Sequence, residues 1–120
     1  VHDGDVPQLL TVSEHHYGGI VVVEAVGEID ITSAAVLSSA LEAVAPAAEA
    51  VIVDLSAVGF MGSVGFTVLL AAAENRGPRQ LRVVVSPQVR RPLEMMGLDK
   101  VLDLYHSLDL ALGDGPGATA

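Results

Sequence analysis

Ala50-Val51-Ile52-Val53-Asp54-Leu55 is a run of aliphatic residues with one acid in it, and it leads to Gly59-Phe60-Met61-Gly62-Ser63. The run is too short for an ordinary helix and does not alternate, which is the pattern of a strand covered on both faces at the centre of a sheet. Gly59-Phe60-Met61-Gly62 predicts a tight segment, and a helix is expected from about Ser63 to Asn75. Arg76-Gly77-Pro78 stops that helix, since glycine can take the left-handed position and proline cannot continue the turn.

Upstream, Leu9 to His15 and Ile20 to Val26 are β-branched apolar stretches on either side of Tyr17-Gly18-Gly19, a hairpin turn signal. Gly27 is expected to close the second strand. Thr32 or Ser33 then caps a helix running to about Ala45 and ended by Pro46. Val36, Leu37, Ala40, Leu41 and Val44 recur at helical spacing and form its buried stripe.

Downstream, Leu81 to Val85 is a strand, and Ser86-Pro87 opens a third helix reaching about Met96, with Gly97 at its end. Pro92 falls inside that span, where a proline costs roughly 3 kcal/mol, so the helix either starts after Pro87 or kinks near Pro92. Val101 to Tyr105 is a last strand, Ser107 to Leu112 a capped closing helix, and Gly113-Asp114-Gly115-Pro116-Gly117 opens a flexible tail covering 113–120. The order is β-β-α-β-α-β-α-β-α. It predicts an α/β fold: a mixed sheet of about five strands whose later members run parallel, with about four helices packed mainly on one face.

The chain has 120 residues, enough for one domain spanning 1–120 with an ordered core of about 9–112. Half of it is apolar (51%) but only 3% is aromatic, so the core is built of small aliphatic side chains suited to helices packed closely on a sheet. With no cysteine there is neither a disulfide framework nor a thiolate metal site. Apolar runs are all interrupted well short of the roughly 18 to 20 residues of a membrane span. Val1-His2-Asp3-Gly4-Asp5 lacks the basic start and apolar stretch of a secretory signal. A soluble, cytoplasmic protein is expected.

The net charge of -9 is unevenly spread. Residues 1–75 contain ten acids and no Lys or Arg, and all six basic residues follow. That first part repels nucleic acid phosphates and anionic membranes, so a protein partner with a basic docking surface is expected instead.

Ser63 is the residue that stands out for chemistry. It lies at a strand-to-helix junction between Gly62 and Gly65, which leave the backbone uncovered and the hydroxyl within reach of another protein's active site. The same position also suits an ordinary helix N-cap. Enzyme motifs fail around it: Met61 stands where a nucleophile elbow needs glycine, Phe60 where a dinucleotide loop needs its first glycine, and no P-loop lysine is present. Neighbouring His15 and His16 project to opposite sides of a strand and cannot readily share a metal ion. His2 and His106 are equally isolated, Asp54 suits a turn or capping role, and Met95-Met96 suits core or a partner contact. No catalytic residue, metal or cofactor is expected.

The stretch Val51 to Phe66 resembles the signature of bacterial anti-sigma factor antagonists, which reads apolar-Asp-Leu-Ser and then Phe-Met-Asp-Ser-Ser-Gly-Leu. Gly27-Glu28-Ile29-Asp30 is similar to the family's Gly-Glu-Leu-Asp, and Ser86-Pro87 with Gly97-Leu98 to its third-helix boundaries. The chain is therefore identified over about residues 9–112 as resembling a STAS domain of this type, a binding module rather than an enzyme. The resemblance implies an anti-sigma factor that is also a serine kinase as partner, release of its sigma factor on binding, phosphorylation at Ser63 to end the association, and a serine phosphatase to reset it. The docking surface it implies contains Glu28, Asp30, Gly62, Ser63, Val64 and Phe66. Two positions depart from the signature: Gly62 stands for the acid before the phosphorylated serine, and Val64 for the hydroxyl residue after it. The alternatives are an antagonist that works without phosphorylation, and a sensory or scaffold STAS domain holding a small anion or nucleotide at the N-terminus of the Ser63 helix.

Overall fold

Val21, Val23 and Ala25 project to one side of their strand and Ile20 and Val22 to the other, and both sets are buried. A strand of this kind belongs inside a sheet covered on both faces. The computed structural model, which describes residues 9–77 and 80–113, places it second in a five-stranded sheet. The elements in chain order are β1 (Leu10–Tyr17), β2 (Ile20–Ile29), α1 (Ala34–Glu42), β3 (Ala50–Met61), α2 (Ser63–Arg76), β4 (Leu81–Val85), α3 (Pro87–Met95), β5 (Asp103–Tyr105) and α4 (Leu108–Gly113). The sheet order is β1-β2-β3-β4-β5; β1 pairs antiparallel with β2, and every later pair is parallel. The expected α/β fold and element order hold.

The larger core lies between the sheet and the first three helices, where Leu37 of α1, Phe66 and Leu69 of α2, and Val89 and Leu93 of α3 meet Val23, Val53, Leu55 and Val83. Each such side chain contributes about 1.5–3 kcal/mol by leaving water. On the opposite face, among the described residues, α4 lays Ala111 over Ile20, Val22, Ile52 and Val84. Arg82, buried on that side, donates from Nη1 to the Ala111 carbonyl at 2.8 Å and so anchors α4. No helix among the described residues is long and apolar enough to cross a membrane.

Several boundaries differ from expectation, each for a local reason. β2 runs through Gly27 to Ile29: that glycine has φ 126°, a Cβ there would collide with the Leu9 carbonyl oxygen, and Glu28 N donates to that same oxygen at 2.8 Å. β3 continues to Met61, so the expected tight segment Gly59-Phe60-Met61 is strand. It passes β2 with two extra residues, since Glu24 pairs with Asp54 but Val26 with Ala57, and Gly27 with Val58 but Glu28 with Phe60. These are bulges, and they explain why the stretch reads as a turn. Asp54 supports the first of them as a buried acceptor for Ser56 N at 3.0 Å and Ser56 Oγ at 2.7 Å.

α1 ends at Glu42 rather than Ala45, and Arg76 Nη2 donates to the carbonyls of Val44 (3.3 Å) and Ala45 (2.6 Å) just beyond it. α3 starts at Pro87, which excludes a later start and leaves Pro92 inside the helix. The carbonyl that Pro92 cannot serve belongs to Gln88, an exposed residue, so the lost bond falls on the solvent side of the helix. A 3-10 turn at Leu98–Lys100 delays β5 to Asp103. Ser107 caps α4 as expected, its Oγ accepting from Leu110 N at 3.2 Å. Gly113 closes α4, and the expected tail beyond it lies outside the described residues.

Candidate docking and modification site

Parallel strands end on the same edge of a sheet, and here Ile29 at the end of β2 pairs with Met61 at the end of β3. The loop from β2 into α1 therefore lies beside the N-terminus of α2, and Gly62 N donates to the Ile29 carbonyl at 2.8 Å.

Asp30 organises the first of these segments. Its Oδ1 accepts from Thr32 N (2.9 Å), Thr32 Oγ1 (2.7 Å), Ser33 N (3.1 Å) and Ser33 Oγ (3.3 Å), and its backbone carbonyl accepts from Ala34 N at 2.9 Å. The Thr32 hydroxyl, and with it the Thr32 and Ser33 amides and the Ser33 hydroxyl, hold the Asp30 carboxyl below its usual value against the opposing effect of desolvation. Asp30 thus closes the turn that leads into α1, whose N-cap position is Ser33 as one of the two expected residues but without a side-chain capping bond. Ser33 is buried in the turn instead, its Oγ donating to the Glu28 carbonyl at 2.8 Å and accepting from Asp30 N at 2.9 Å.

In the second segment, Gly62 is the N-cap of α2 with extended backbone (φ -78°, ψ 176°), so Ser63 occupies the first helical position and is not the cap. Ser63 is exposed, and its hydroxyl has no hydrogen-bond partner among the described residues. Its place on the first turn favours a negative charge by dipole and by free amides. Neither segment contains Lys or Arg, while Glu28 is exposed and Asp30 half-buried nearby.

Of the six residues expected to form the docking surface, Glu28, Asp30, Gly62, Ser63 and Val64 do gather on this edge, Val64 half-buried with its side chain against the core. Phe66 does not: it is 6% exposed and belongs to the core, because the third residue after Ser63 turns to the sheet-facing side of α2. Gly65 is likewise buried rather than uncovered, and a Cβ on it would press on Met61 and on Ile29 Cγ2. Two residues absent from the expected set are prominent. Ile31 at the apex of the Asp30 turn is 86% exposed, and Phe60 is 53% exposed with its ring 3.7 Å from where a Gly62 Cβ would sit. An isolated Ile within the polar Asp30-Ile31-Thr32-Ser33 turn was the sequence signal for the first. Phe60 gave no such signal while its segment read as a turn.

Elsewhere the histidines behave as surface residues. His15 Nε2 lies 3.2 Å from Glu24 Oε1 and His16 Nε2 2.7 Å from Glu14 Oε2, on opposite faces of β1. No cluster of His, Asp or Glu fit for a metal ion occurs among the described residues. Met95 and Met96 are 78% and 55% exposed, which excludes them from the core.

Comparison with known proteins identifies the scaffold that carries this edge. The STAS domain family model matches residues 12–111. The anti-sigma-F factor antagonist RsfB of Mycobacterium tuberculosis is 42% identical over 109 residues, covering 88% of this chain and 89% of the relative. The crystal structure of an anti-sigma factor antagonist from Mycobacterium paratuberculosis superposes with a TM-score of 0.80 at 42% identity, over 86% of this chain and 91% of that one. The anti-sigma factor antagonist SpoIIAA in its unphosphorylated form shares the fold, with a TM-score of 0.63 at 21% identity over 86% of this chain and 94% of that one. The chain belongs to the STAS domain family, within its group of anti-sigma factor antagonists.

Proposed function

We propose that this chain binds an anti-sigma factor through the edge formed by the Asp30 turn and the start of α2, so that the bound sigma factor is released. The anti-sigma factor is a serine kinase that phosphorylates Ser63 and thereby ends the association, and a serine phosphatase resets the cycle. The chain is in this scheme a substrate and an inhibitor in the cytoplasm, not a catalyst. The observation that carries the reading is the Ser63 hydroxyl: exposed, unpartnered among the described residues, and set on a helix N-terminus beside exposed Ile31 and Phe60. The 42% identity to an anti-sigma-F factor antagonist supports the choice of partner.

Apolar anchors ringed by polar groups are the usual anatomy of a protein-protein contact, and Glu28 and Asp30 supply charge for a basic partner surface. A kinase active site has to engulf the hydroxyl it modifies, and a residue on the first turn of a helix can be engulfed without unfolding anything. The direct test is displacement. Adding this protein to a preformed complex of a sigma factor and its anti-sigma factor should release the sigma factor, and ATP should reverse the release with one phosphate at Ser63. Release without any phosphate incorporation would support an antagonist that works without phosphorylation, whereas no release from any candidate complex would contradict the reading.

A further inference from the structure

The sheet has an edge at β1 and an edge at β5, and they are built differently. β5 has three residues, whereas β1 has eight, pairs one-to-one with β2 without a bulge, and contains neither proline nor lysine. Shortness, bulges, prolines and lysines are what keep an edge strand from recruiting another strand through its outer N–H and C=O groups, and β1 has none of them. Leu10 and Val12 pack against the larger core, but every residue from Ser13 to Tyr17 is exposed.

The hairpin fixes which backbone groups point outward. Tyr17 and Ile20 flank the turn Gly18-Gly19 and so form a hydrogen-bonded pair; Leu9 keeps the same phase, its carbonyl accepting from Glu28 N at 2.8 Å. The odd-numbered residues of β1 therefore turn their N–H and C=O groups to β2, while Leu10, Val12, Glu14 and His16 turn theirs away from the sheet. An antiparallel strand added here must meet those residues with its own outward groups.

The side chains make this edge complementary to itself. A two-fold axis through Ser13 would set Glu14 opposite Val12, and one through Glu14 would set that carboxylate against its own copy. An axis through His15 sets Glu14 of each chain opposite His16 of the other. Within one chain His16 Nε2 already lies 2.7 Å from Glu14 Oε2, so the four side chains close a ring in which carboxylate and imidazole alternate. Each carboxylate has lone pairs left for the second imidazole. On the other face the His15 rings meet at the axis, each 3.2 Å from its own Glu24 Oε1, whose charge offsets their repulsion. Ser13 there faces Tyr17, which is 47% exposed in the single chain.

We infer that β1 is a self-association edge: two copies of this chain pair antiparallel through residues 13–17 about an axis at His15, extending the sheet across a dimer. Tyr17 lies beside the start of β2 and the Ser63 edge at its end, so both Ser63 edges stay open and point to opposite ends of the dimer. The inference does not rest on the partner proposed for that edge.

Sedimentation of the full chain from micromolar to millimolar concentration tests it, at physiological ionic strength, where repulsion between chains of net charge -9 is screened. The mass should rise toward twice that of one chain, and the Glu14 and His16 amides should gain protection from exchange as it does. Glu14→Lys, an exposed change that keeps the fold, should weaken association at least about tenfold. Combining it with His16→Glu should restore association, because the alternating ring is rebuilt with the signs exchanged. Glu14→Pro removes an outward N–H that β2 does not use, so it should remain folded and monomeric. A mass that stays at one chain up to millimolar concentration overturns the inference. So does a dimer that survives Glu14→Pro, or a double variant as weak as Glu14→Lys. If the edge takes a strand of the anti-sigma factor instead, wild type stays monomeric and Glu14→Pro loses partner binding, which also overturns it.

Discussion

The amide of Gly62 donates to the carbonyl of Ile29 at 2.8 Å, tying the start of α2 to the end of β2. The bond continues the β2–β3 ladder one step past Met61, and it fixes the Asp30 turn against Ser63. The proposed docking surface and the proposed modification site therefore lie together on one edge of the sheet.

Asp30 should give that edge an acid-sensitive component. Its carboxyl is held below its ordinary value of 3.8 by the Thr32 hydroxyl and by the Thr32 and Ser33 donors. The stabilisation is fully present above the unfolded value and is lost as pH falls through the lower folded one. Asp30→Ala should lower the melting temperature at neutral pH, and its deficit against wild type should shrink below about pH 4. A deficit that is unchanged at pH 3 would show that the ionised carboxylate does not hold the turn.

Gly62→Asp should leave the fold intact. The backbone there is extended, and a Cβ would meet only the Ile29 carbonyl and the Phe60 ring at 3.7 Å, an ordinary contact. An acid at the N-cap gains a few tenths of a kcal/mol over glycine, so the melting temperature should hold or rise slightly while the rate of Ser63 phosphorylation changes. A loss above 1 kcal/mol would contradict this account of the backbone, and a stable variant with an unaltered rate would make the residue neutral for the kinase.

Gly65→Ala is expected to behave in the opposite way. An added Cβ would overlap the Met61 side chain and sit 3.1 Å from Ile29 Cγ2, both in the core. Overpacking costs about 1–3 kcal/mol, against about 1 kcal/mol that alanine gains over glycine in a helix. Chemical denaturation should show net destabilisation; a more stable variant would mean that Met61 repacks freely.

These contrasts mark what the sequence made legible. The doubly covered strand at Ala50 to Leu55 and the hairpin at Gly18-Gly19 were readable because periodicity and glycine act locally. The extension of β3 to Met61 was not, because bulges at Ser56 and Gly59 break alternation and depend on the partner strand. Ser63 was identifiable, yet its place as first helical residue rather than cap follows from Gly62 bonding across to Ile29, a tertiary fact. Phe66 went to the core because facing is set by the helix's rotation against the sheet, which a motif does not record. Ile31 was missed because its exposure results from the turn that Asp30 builds.

Association with the partner should depend on salt. Residues 1–75 carry ten acids and no Lys or Arg, and Glu28 and Asp30 lie at the docking edge. Charges more than about 8–10 Å apart are screened at physiological ionic strength, so the on-rate should fall as salt rises. An on-rate insensitive to salt would shift the recognition to Ile31 and Phe60.

The central claim is that a phosphate at Ser63 releases the partner while this domain stays folded. A phosphoryl group adds about 1.5 to 2 negative charges, but at a helix N-terminus, where an anion is favoured; α2 should not melt. Charge attraction cannot cause the release, since a basic partner surface would welcome the phosphate, so release comes from its bulk and desolvation against a docked hydroxyl or from repulsion by acids or nucleotide phosphates in the kinase site. Because Ser63 is not the cap, Ser63→Ala should change stability by less than about 0.5 kcal/mol. The decisive measurement is a calorimetric titration of wild type, Ser63→Asp and Ser63→Ala against the cognate anti-sigma factor, with melting curves alongside. The account predicts three folded proteins, with Ser63→Asp binding weakly and Ser63→Ala binding and resisting inactivation by ATP. Equal binding by all three would contradict it.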